Sequence, residues 1–250
     1  MNNRWCIIAS PRTGSNYLEE MIYLNLCQQD MHVMRLGEIL HRTIWAYADS
    51  DSAVFRLEAL YNSKLRTDFR IDLFEKLKNN PENGAVMRLF VQTHHLPDMD
   101  YKEFVDSLVK LGFKFINLTR DIFDSSISLS MAQNAIVWHR KVYENNRVEI
   151  DGDKAYANNP SAMDISLSIL GANYMDITYN KFFNNKILSN IDHAIVRYES
   201  ILEDCKINNI PIEEKTNIKK LYDKNYSELV TNYSELKHFY QSMLTYEQKI

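Results

Sequence analysis

The sequence is poor in residues that cross-link or interrupt a chain. Its three cysteines, Cys6, Cys27 and Cys205, are scattered and form no Cys-x-x-Cys pair, so a disulfide framework and a zinc site are disfavoured. This cysteine usage favours a reducing compartment, and we expect a cytoplasmic protein. Only six glycines and five prolines occur in 250 residues, and no Gly-, Ser- or Pro-rich linker divides the chain. We therefore expect a single domain over residues 1–250.

Long apolar runs and an excess of positive charge are also missing. No stretch approaches the roughly 18 apolar residues that a membrane helix needs, and the apolar segment near the N-terminus is too short for a secretory signal. The formal net charge of −4 disfavours a general nucleic-acid binder, which would usually be basic. We expect neither a membrane nor a nucleic acid as partner, and a homodimer stays open. The composition, 45% hydrophobic and 25% charged, is typical of a globular protein with one sizeable core.

What the sequence does contain is a strand-to-helix junction near its start. Residues 6–9 are an apolar run typical of a strand buried on both faces, residues 10–16 are a turn around Gly14, and helical spacing follows. Such a junction directs backbone N–H groups and the positive end of a helix dipole at one point, where a phosphate or sulfate binds. Arg12 adds a permanent charge and a planar donor fork, and Thr13, Ser15 and Asn16 add side-chain donors. An ordinary turn that holds an arginine is the alternative.

The same loop disfavours magnesium-dependent kinases and ATPases. A Walker loop has the spacing Gly-x-x-x-x-Gly-Lys-Ser/Thr, in which the lysine contacts the terminal phosphates and the hydroxyl holds magnesium. Here the first glycine and the lysine are missing, and Arg12 precedes Gly14 where a lysine would follow. We expect no metal at this site.

The rest of the chain alternates between strand-like and helical segments. Strands are predicted at residues 6–9, 32–34, 85–92, 113–118 and 194–199, and helices near 16–27, 101–111, 123–133 and 162–190. Residues 43–80 are predicted to be helical. This alternation predicts an α/β fold with a P-loop-like central parallel sheet flanked by helices. Arg88 lies inside a predicted buried strand, so it needs a partner or a place at the strand end.

In an open α/β sheet, ligands gather beyond the carboxyl ends of the strands. Arg120 follows such an end, and Ser128 lies about two helical turns further on, so both can face the same side and bind a second anion. A surface arginine and an ordinary helix serine fit the pattern as well. Tyr198 ends the last predicted strand, where its ring could stack on an aromatic ligand or cap the core.

Two residues are candidates for a general base. Glu38 follows Gly37, a predicted turn, and could either cap the next helix or project into the site of the first loop. His95 belongs to a pair with His94 at a predicted strand end. A metal pair is disfavoured because adjacent residues of an extended chain point in opposite directions. One catalytic or cofactor-facing histidine beside a bystander fits the pattern better.

Taken together, these motifs resemble those of sulfotransferases that use 3′-phosphoadenosine 5′-phosphosulfate (PAPS). The loop from Ser10 to Leu18 looks like their phosphosulfate-binding loop, and Arg120 with Ser128 looks like their site for the 3′-phosphate. The segment from Arg197 to Leu202 resembles the strand whose tyrosine, here Tyr198, contacts the adenine. An arginine in the first loop is a feature of the bacterial trehalose and the tyrosylprotein sulfotransferases, to which the chain is most similar.

The resemblance implies the sulfotransferase fold and transfer of a sulfuryl group from PAPS to an acceptor hydroxyl, which leaves 3′-phosphoadenosine 5′-phosphate (PAP). In the resembled groups the Gly-Glu element carries the base, which implies Glu38. The Thr-His-His-Leu-Pro segment is similar to the base-carrying segment of cytosolic sulfotransferases, which implies His95 instead. We favour Glu38, because the arginine loop and the Gly-Glu element occur together. A nucleotide kinase and a non-catalytic PAP- or anion-binding module are the alternatives.

Overall fold

The structure is a computed structural model of the 250-residue chain. It describes residues 3–29, 31–38, 44–46, 53–55, 63–90, 101–135, 139–142, 148–151, 164–214 and 225–247. The chain divides into two compact units. The first contains Met1–Thr119 and Asn180–Thr216, and the second contains Arg120–Tyr179 and Asn217–Ile250. The prediction of a single domain stays a prediction.

The elements of the described residues alternate between strands and helices over much of the chain. The strands are β1 (Arg4–Ala9), β2 (Val33–Glu38), β3 (Ile44–Ala46), β4 (Ala53–Phe55), β5 (Gly84–Leu89), β6 (Lys114–Thr119), β7 (His139–Val142), β8 (Val148–Asp151) and β9 (His193–Arg197). The helices are α1 (Ser15–Cys27), α2 (Ser63–Asn79), α3 (Tyr101–Lys110), α4 (Ile122–Ala135), α5 (Leu167–Leu188), α6 (Ile201–Ile207), α7 (Tyr226–Leu229) and α8 (Tyr233–Glu247), with a 3₁₀ turn at Tyr198–Ser200.

The first unit is built on a five-stranded parallel sheet in the order β2-β5-β1-β6-β9. Strand β1 is central, and the chain goes from it to one side of the sheet through β2 and β5 and then to the other side through β6 and β9. The connection therefore reverses direction at β1, and the crevice outside the carboxyl end of such a strand is where α/β proteins bind ligands. The predicted α/β fold with a parallel sheet flanked by helices is confirmed at this level.

Alternate residues of β1 face opposite sides of the sheet, and both sides are covered. Cys6 and Ile8 pack in a core with residues of α2, α3 and the end of α5, whereas Trp5, Ile7 and Ala9 pack in a second core with residues of α1 and α6. All six residues of β1 are buried. Burial on both faces explains why its sequence is a continuous apolar run and does not alternate.

Arg4, the one charged residue of β1, forms hydrogen bonds with the backbone near the C-terminal ends of two helices. Its guanidinium donates to four backbone carbonyl oxygens at 2.7–3.3 Å, those of Leu77, Asn80, Asn83 and Leu111. These carbonyls lie at or just beyond the C-terminal ends of α2 and α3, where helix carbonyls lack intrahelical partners. A buried cation there satisfies several acceptors at once and complements the negative ends of two helix dipoles.

The second unit has its own small core. The helices α4, α7, α8, the first part of α5 and the segment just before α5 contribute buried residues to it, among them Phe123, Ile127, Met131, Ile165, Leu170, Leu229 and Leu236. Phe123 and Tyr240 pack with ring centroids 5.0 Å apart, and Asn173 donates to Ser130 Oγ and Gln133 Oε1. The strands β7 and β8 form an antiparallel hairpin.

Two sequence predictions of local structure are wrong. Gly37 does not end the second strand: it lies within β2 at φ +58°, next to a register shift relative to β5, and Glu38 is the last residue of the strand. Residues 43–80 are only partly helical, because the short antiparallel strands β3 and β4 precede α2. A β-bulge adds one residue to a strand and shifts its alternation, so the glycine lies inside the strand instead of ending it.

Candidate functional site: an anion-binding loop flanked by Glu38 and Tyr198

The loop between β1 and α1 begins at the carboxyl end of the central strand. Gly14 precedes the first residue of α1 with φ +83°, a left-handed conformation that glycine adopts without strain. Within the described residues, no side chain caps this helix start. The hydroxyl of Thr13 donates to the backbone carbonyl of Ser10 at 2.8 Å, so this side chain braces the loop.

Arg12 also has a left-handed backbone, with φ +64°. This conformation costs an L-residue about 1–2 kcal/mol, and a glycine would avoid most of that cost. Strain of this kind clusters at functional sites, where the rest of the structure enforces it. Arg12 is half-buried and adjoins the positive end of α1. The loop thus combines a permanent cation with a helix N-terminus, which is the chemistry of an anion site.

Glu38 lies at the same edge of the sheet, two strands away from β1. Because the strands are parallel, the carboxyl ends of β1, β5 and β2 share one edge, and neighbouring strands lie about 4.8 Å apart. The register places Glu38 opposite Arg88 of β5, and Arg88 Nη1 donates to Glu38 Oε1 at 3.1 Å. The side chain of Glu38 is 20% exposed, so this carboxylate is accessible as well as oriented.

Arg88 also contacts Glu19, a residue of α1 whose side chain is only 1% exposed. Arg88 Nε and Glu19 Oε2 are 2.7 Å apart, a close ion pair whose angles fall outside hydrogen-bond geometry. The other carboxylate oxygen of Glu19 accepts the backbone N–H of Gly37 at 2.9 Å. The predicted need of Arg88 for a partner is therefore confirmed, and the described part of the chain supplies both Glu19 and Glu38.

Tyr198 flanks the loop from the other direction. It follows β9, which is two strands from β1 on the side away from Glu38. Its ring covers the backbone of Gly14 so closely that an added Cβ there would lie 2.5 Å from the ring carbon Cε2. Tyr198 therefore packs against the loop itself. A side chain of any size at position 14 would displace the ring.

The turn that carries Tyr198 is fixed by Asp204. This carboxylate accepts hydrogen bonds from the backbone N–H, Nε and Nη2 of Arg197 at 2.8–3.1 Å, and from the hydroxyl of Ser200. The hydrogen bond from the guanidinium is the largest reason why the pKa of Asp204 is held well below its usual range. The residues on both sides of Tyr198 are thus bound to one carboxylate.

Arg120 and Ser128 belong to the second unit. Arg120 lies two residues before the first residue of α4, and its Nη2 donates to Tyr226 Oη at 2.9 Å, with the guanidinium carbon 5.9 Å from the centre of the tyrosine ring. Ser128 is buried on α4 and 7% exposed. Their predicted joint role in binding a second anion, and their place relative to Arg12, stay predictions. His95 lies outside the described residues, so the preference for Glu38 over His95 as the general base stays a prediction.

Three residues that sequence reasoning did not assign to the site support it, namely Glu19, Arg88 and Asp204. Arg88 carried a signal, because a charge in a buried strand requires compensation. Glu19 and Asp204 carried none, since a glutamate or an aspartate on a helix is usually solvent-exposed. Their roles depend on which helix face packs on the sheet.

Comparison of the sequence with models of protein families and with curated proteins gives no match. Among the helices of the described residues, none combines the length and the apolar character that crossing a bilayer requires.

Proposed function

We propose that this protein is a PAPS-dependent sulfotransferase with the sulfotransferase fold, acting on a hydroxyl-bearing acceptor. The observation that carries the proposal is the loop at the carboxyl end of β1. It presents Arg12 in a left-handed conformation at the start of α1, with Glu38 at the same sheet edge and Tyr198 against Gly14. An anion site beside an accessible carboxylate is what transfer of an anionic group to a hydroxyl requires.

In the proposed reaction the acceptor oxygen attacks sulfur while the bond from sulfur to the bridging phosphate oxygen breaks. The leaving PAP retains the electron pair of that bond, and Glu38 takes the proton of the acceptor hydroxyl. Arg12 and the backbone N–H groups of residues 13–16 neutralise the charge that grows on the 5′-phosphate. The protein mainly positions groups in line and stabilises charge, by analogy with phosphoryl transfer.

The remaining ligand contacts come from residues that the resemblance assigns. Tyr198 would contact the adenine, and its packing on Gly14 supports a place beside the phosphate loop. Arg120 and Ser128 would bind the 3′-phosphate, which distinguishes PAPS from ATP. An arginine fork suits a dianionic phosphate because it donates two parallel hydrogen bonds.

Ligand-induced thermal stabilisation tests the nucleotide part of the proposal. PAP at about 100 times its Kd should stabilise the protein by about 2.7 kcal/mol, whereas ADP at the same concentration should stabilise it much less. Magnesium should change neither result. Stabilisation by ATP only with magnesium would identify a nucleotide kinase, and the absence of any shift with PAP would refute the proposal.

Two substitutions separate binding from transfer. Arg12→Ala should abolish sulfate transfer from labelled PAPS and weaken PAP binding, because the loop loses its cation. Glu38→Gln should lower kcat by about 10²–10⁴-fold while the thermal shift with PAP stays unchanged, because only proton transfer is affected. Full activity of Glu38→Gln together with inactivity of His95→Ala would assign the base to His95. If the wild type binds PAP but transfers sulfate to no sugar, tyrosine peptide, lipid or small alcohol, the protein is a non-catalytic PAP-binding module.

A further inference from the structure

The ion pair between Glu38 and Arg88 belongs to a network that also includes Glu19 and the backbone of Gly37. The β-bulge near Leu36 shifts the register of β2 by one residue, so that Glu38 lies opposite Arg88, where an unbroken ladder would place Gly37. Gly37, next to the bulge, has φ +58°, a left-handed conformation that glycine adopts without strain. The strand thus uses a glycine and a register shift to place this carboxylate beside this guanidinium.

Glu19 fixes both parts of that arrangement at once. One of its oxygens accepts the N–H of Gly37 at 2.9 Å, and the other lies 2.7 Å from Arg88 Nε. The exposed fraction rises from 1% at Glu19 through 11% at Arg88 to 20% at Glu38, so the network leads from the core to the accessible carboxylate. A buried carboxylate with two such contacts is oriented far more rigidly than an exposed one.

We propose that Arg88 is a positioning residue, held by Glu19, that fixes the carboxylate of Glu38 for proton transfer; this rests on the proposed function. Arg88 Nη1 binds Oε1 of Glu38, which directs the second oxygen, Oε2, towards the acceptor hydroxyl. The acceptor's proton goes to Oε2 as its oxygen bonds to sulfur. Arg88 itself takes no proton and contacts no reacting atom.

A second ion pair lies beside this network. Glu20 and Arg35 form a neighbouring ion pair at 3.1 Å, and Arg35 Nη2 is 3.9 Å from Glu19 Oε2. Among the described residues, the carboxylates of Glu19, Glu20 and Glu38 thus lie beside the guanidinium groups of Arg35 and Arg88. Glu38 is the most exposed of these three carboxylates, so a proton from an acceptor on the solvent side reaches it first.

The test compares Arg88→Lys in two backgrounds, wild type and Glu38→Gln. Lysine keeps the charge but lacks the fork that contacts both carboxylates. We expect Arg88→Lys to lower kcat by about 10–100-fold in the wild-type background, with the KM for PAPS and the thermal shift with PAP unchanged. In the Glu38→Gln background the same substitution should have no further effect on kcat, because the group it positions is gone.

Two more variants keep the test decisive if the lysine protein folds poorly. The double variant Glu19→Gln/Arg88→Met removes both charges, while the amide oxygen introduced at position 19 can still accept the Gly37 N–H; we expect the same loss of kcat. Arg35→Met is the matched control, since Arg35 lies on the same strand as Glu38 and pairs mainly with Glu20, and its kcat should stay within about twofold of wild type.

The outcomes separate this inference from the proposed function. A wild type that neither binds PAP nor transfers sulfate would overturn both. A wild type that does both, with Arg88→Lys either fully active or equally damaging in the two backgrounds, would overturn the positioning role alone. A loss of kcat that appears only where Glu38 is present would establish it.

Discussion

Substituting Gly14 by alanine tests whether the loop and Tyr198 are coupled as the structure has them. The left-handed backbone at position 14 should cost alanine about 1–2 kcal/mol. The new Cβ would also lie 2.5 Å from the ring carbon Cε2 of Tyr198, which forces the ring to move and should cost about 1–3 kcal/mol more. The total, about 2–5 kcal/mol, corresponds to a fall in Tm of about 4–20 °C.

A double-mutant cycle separates the two contributions. In a Tyr198→Ala background the steric part disappears and only the backbone part remains, so Gly14→Ala should then cost about 1–2 kcal/mol. The free energy of unfolding, measured with urea for all four proteins, should show a coupling of about 1–3 kcal/mol. Additive effects would mean that the ring does not lie on Gly14, and the packing described above would be refuted. The thermal shift with PAP should fall in the single Gly14→Ala variant, since the loop is distorted.

Three further predictions concern single residues. Arg4→Met should lower the free energy of unfolding by about 3–5 kcal/mol, because four backbone carbonyl oxygens, one in a buried and three in partly buried hydrogen bonds, lose a charged donor, and Arg4→Lys should recover part of this loss in urea unfolding. Asp204→Asn should reduce the pH dependence of stability. The lowered pKa of Asp204 in the folded state contributes stability that is fully present above about pH 4 and is lost as the pH falls towards the folded pKa, so the difference in unfolding free energy between wild type and variant should shrink steadily as the pH is lowered below about 4. Arg12→Gly should be more stable than Arg12→Ala by about 1 kcal/mol, because glycine tolerates φ +64°, and both should lose PAP binding in thermal-shift assays.

The sequence was sufficient for the elements whose signal is local. The apolar run at residues 6–9 and the helical spacing after Tyr17 predicted β1 and α1, and the helix predicted at 101–111 ends one residue early, at Lys110. Arg88 was identified as a charge in need of a partner. These predictions succeed because burial on both sheet faces leaves a continuous apolar pattern, whereas helices packed on one side show a period of three to four residues.

Other features depend on contacts between distant residues and carried no local signal. The bulge at residue 36 is stabilised by Glu19, which is 18 positions away from Gly37 in the chain, so the turn predicted there was a reasonable reading of a glycine. Gly14 and Tyr198 are likewise brought together only by the strand order, in which β9 lies two strands from β1. Strand order is decided by how whole helices and strands pack, and no short stretch of the sequence determines that packing.

Helix α1 links the two parts of the proposed site. It begins at Ser15, beside the loop that carries Arg12, and Glu19 lies about one turn further along its axis. One turn of a packed helix is nearly rigid, so we expect a movement of the loop to reach Glu19 and, through its contacts, Gly37 and Arg88. In the proposed site, the carboxylate of Glu38 is therefore connected to the loop through Glu19 and Arg88.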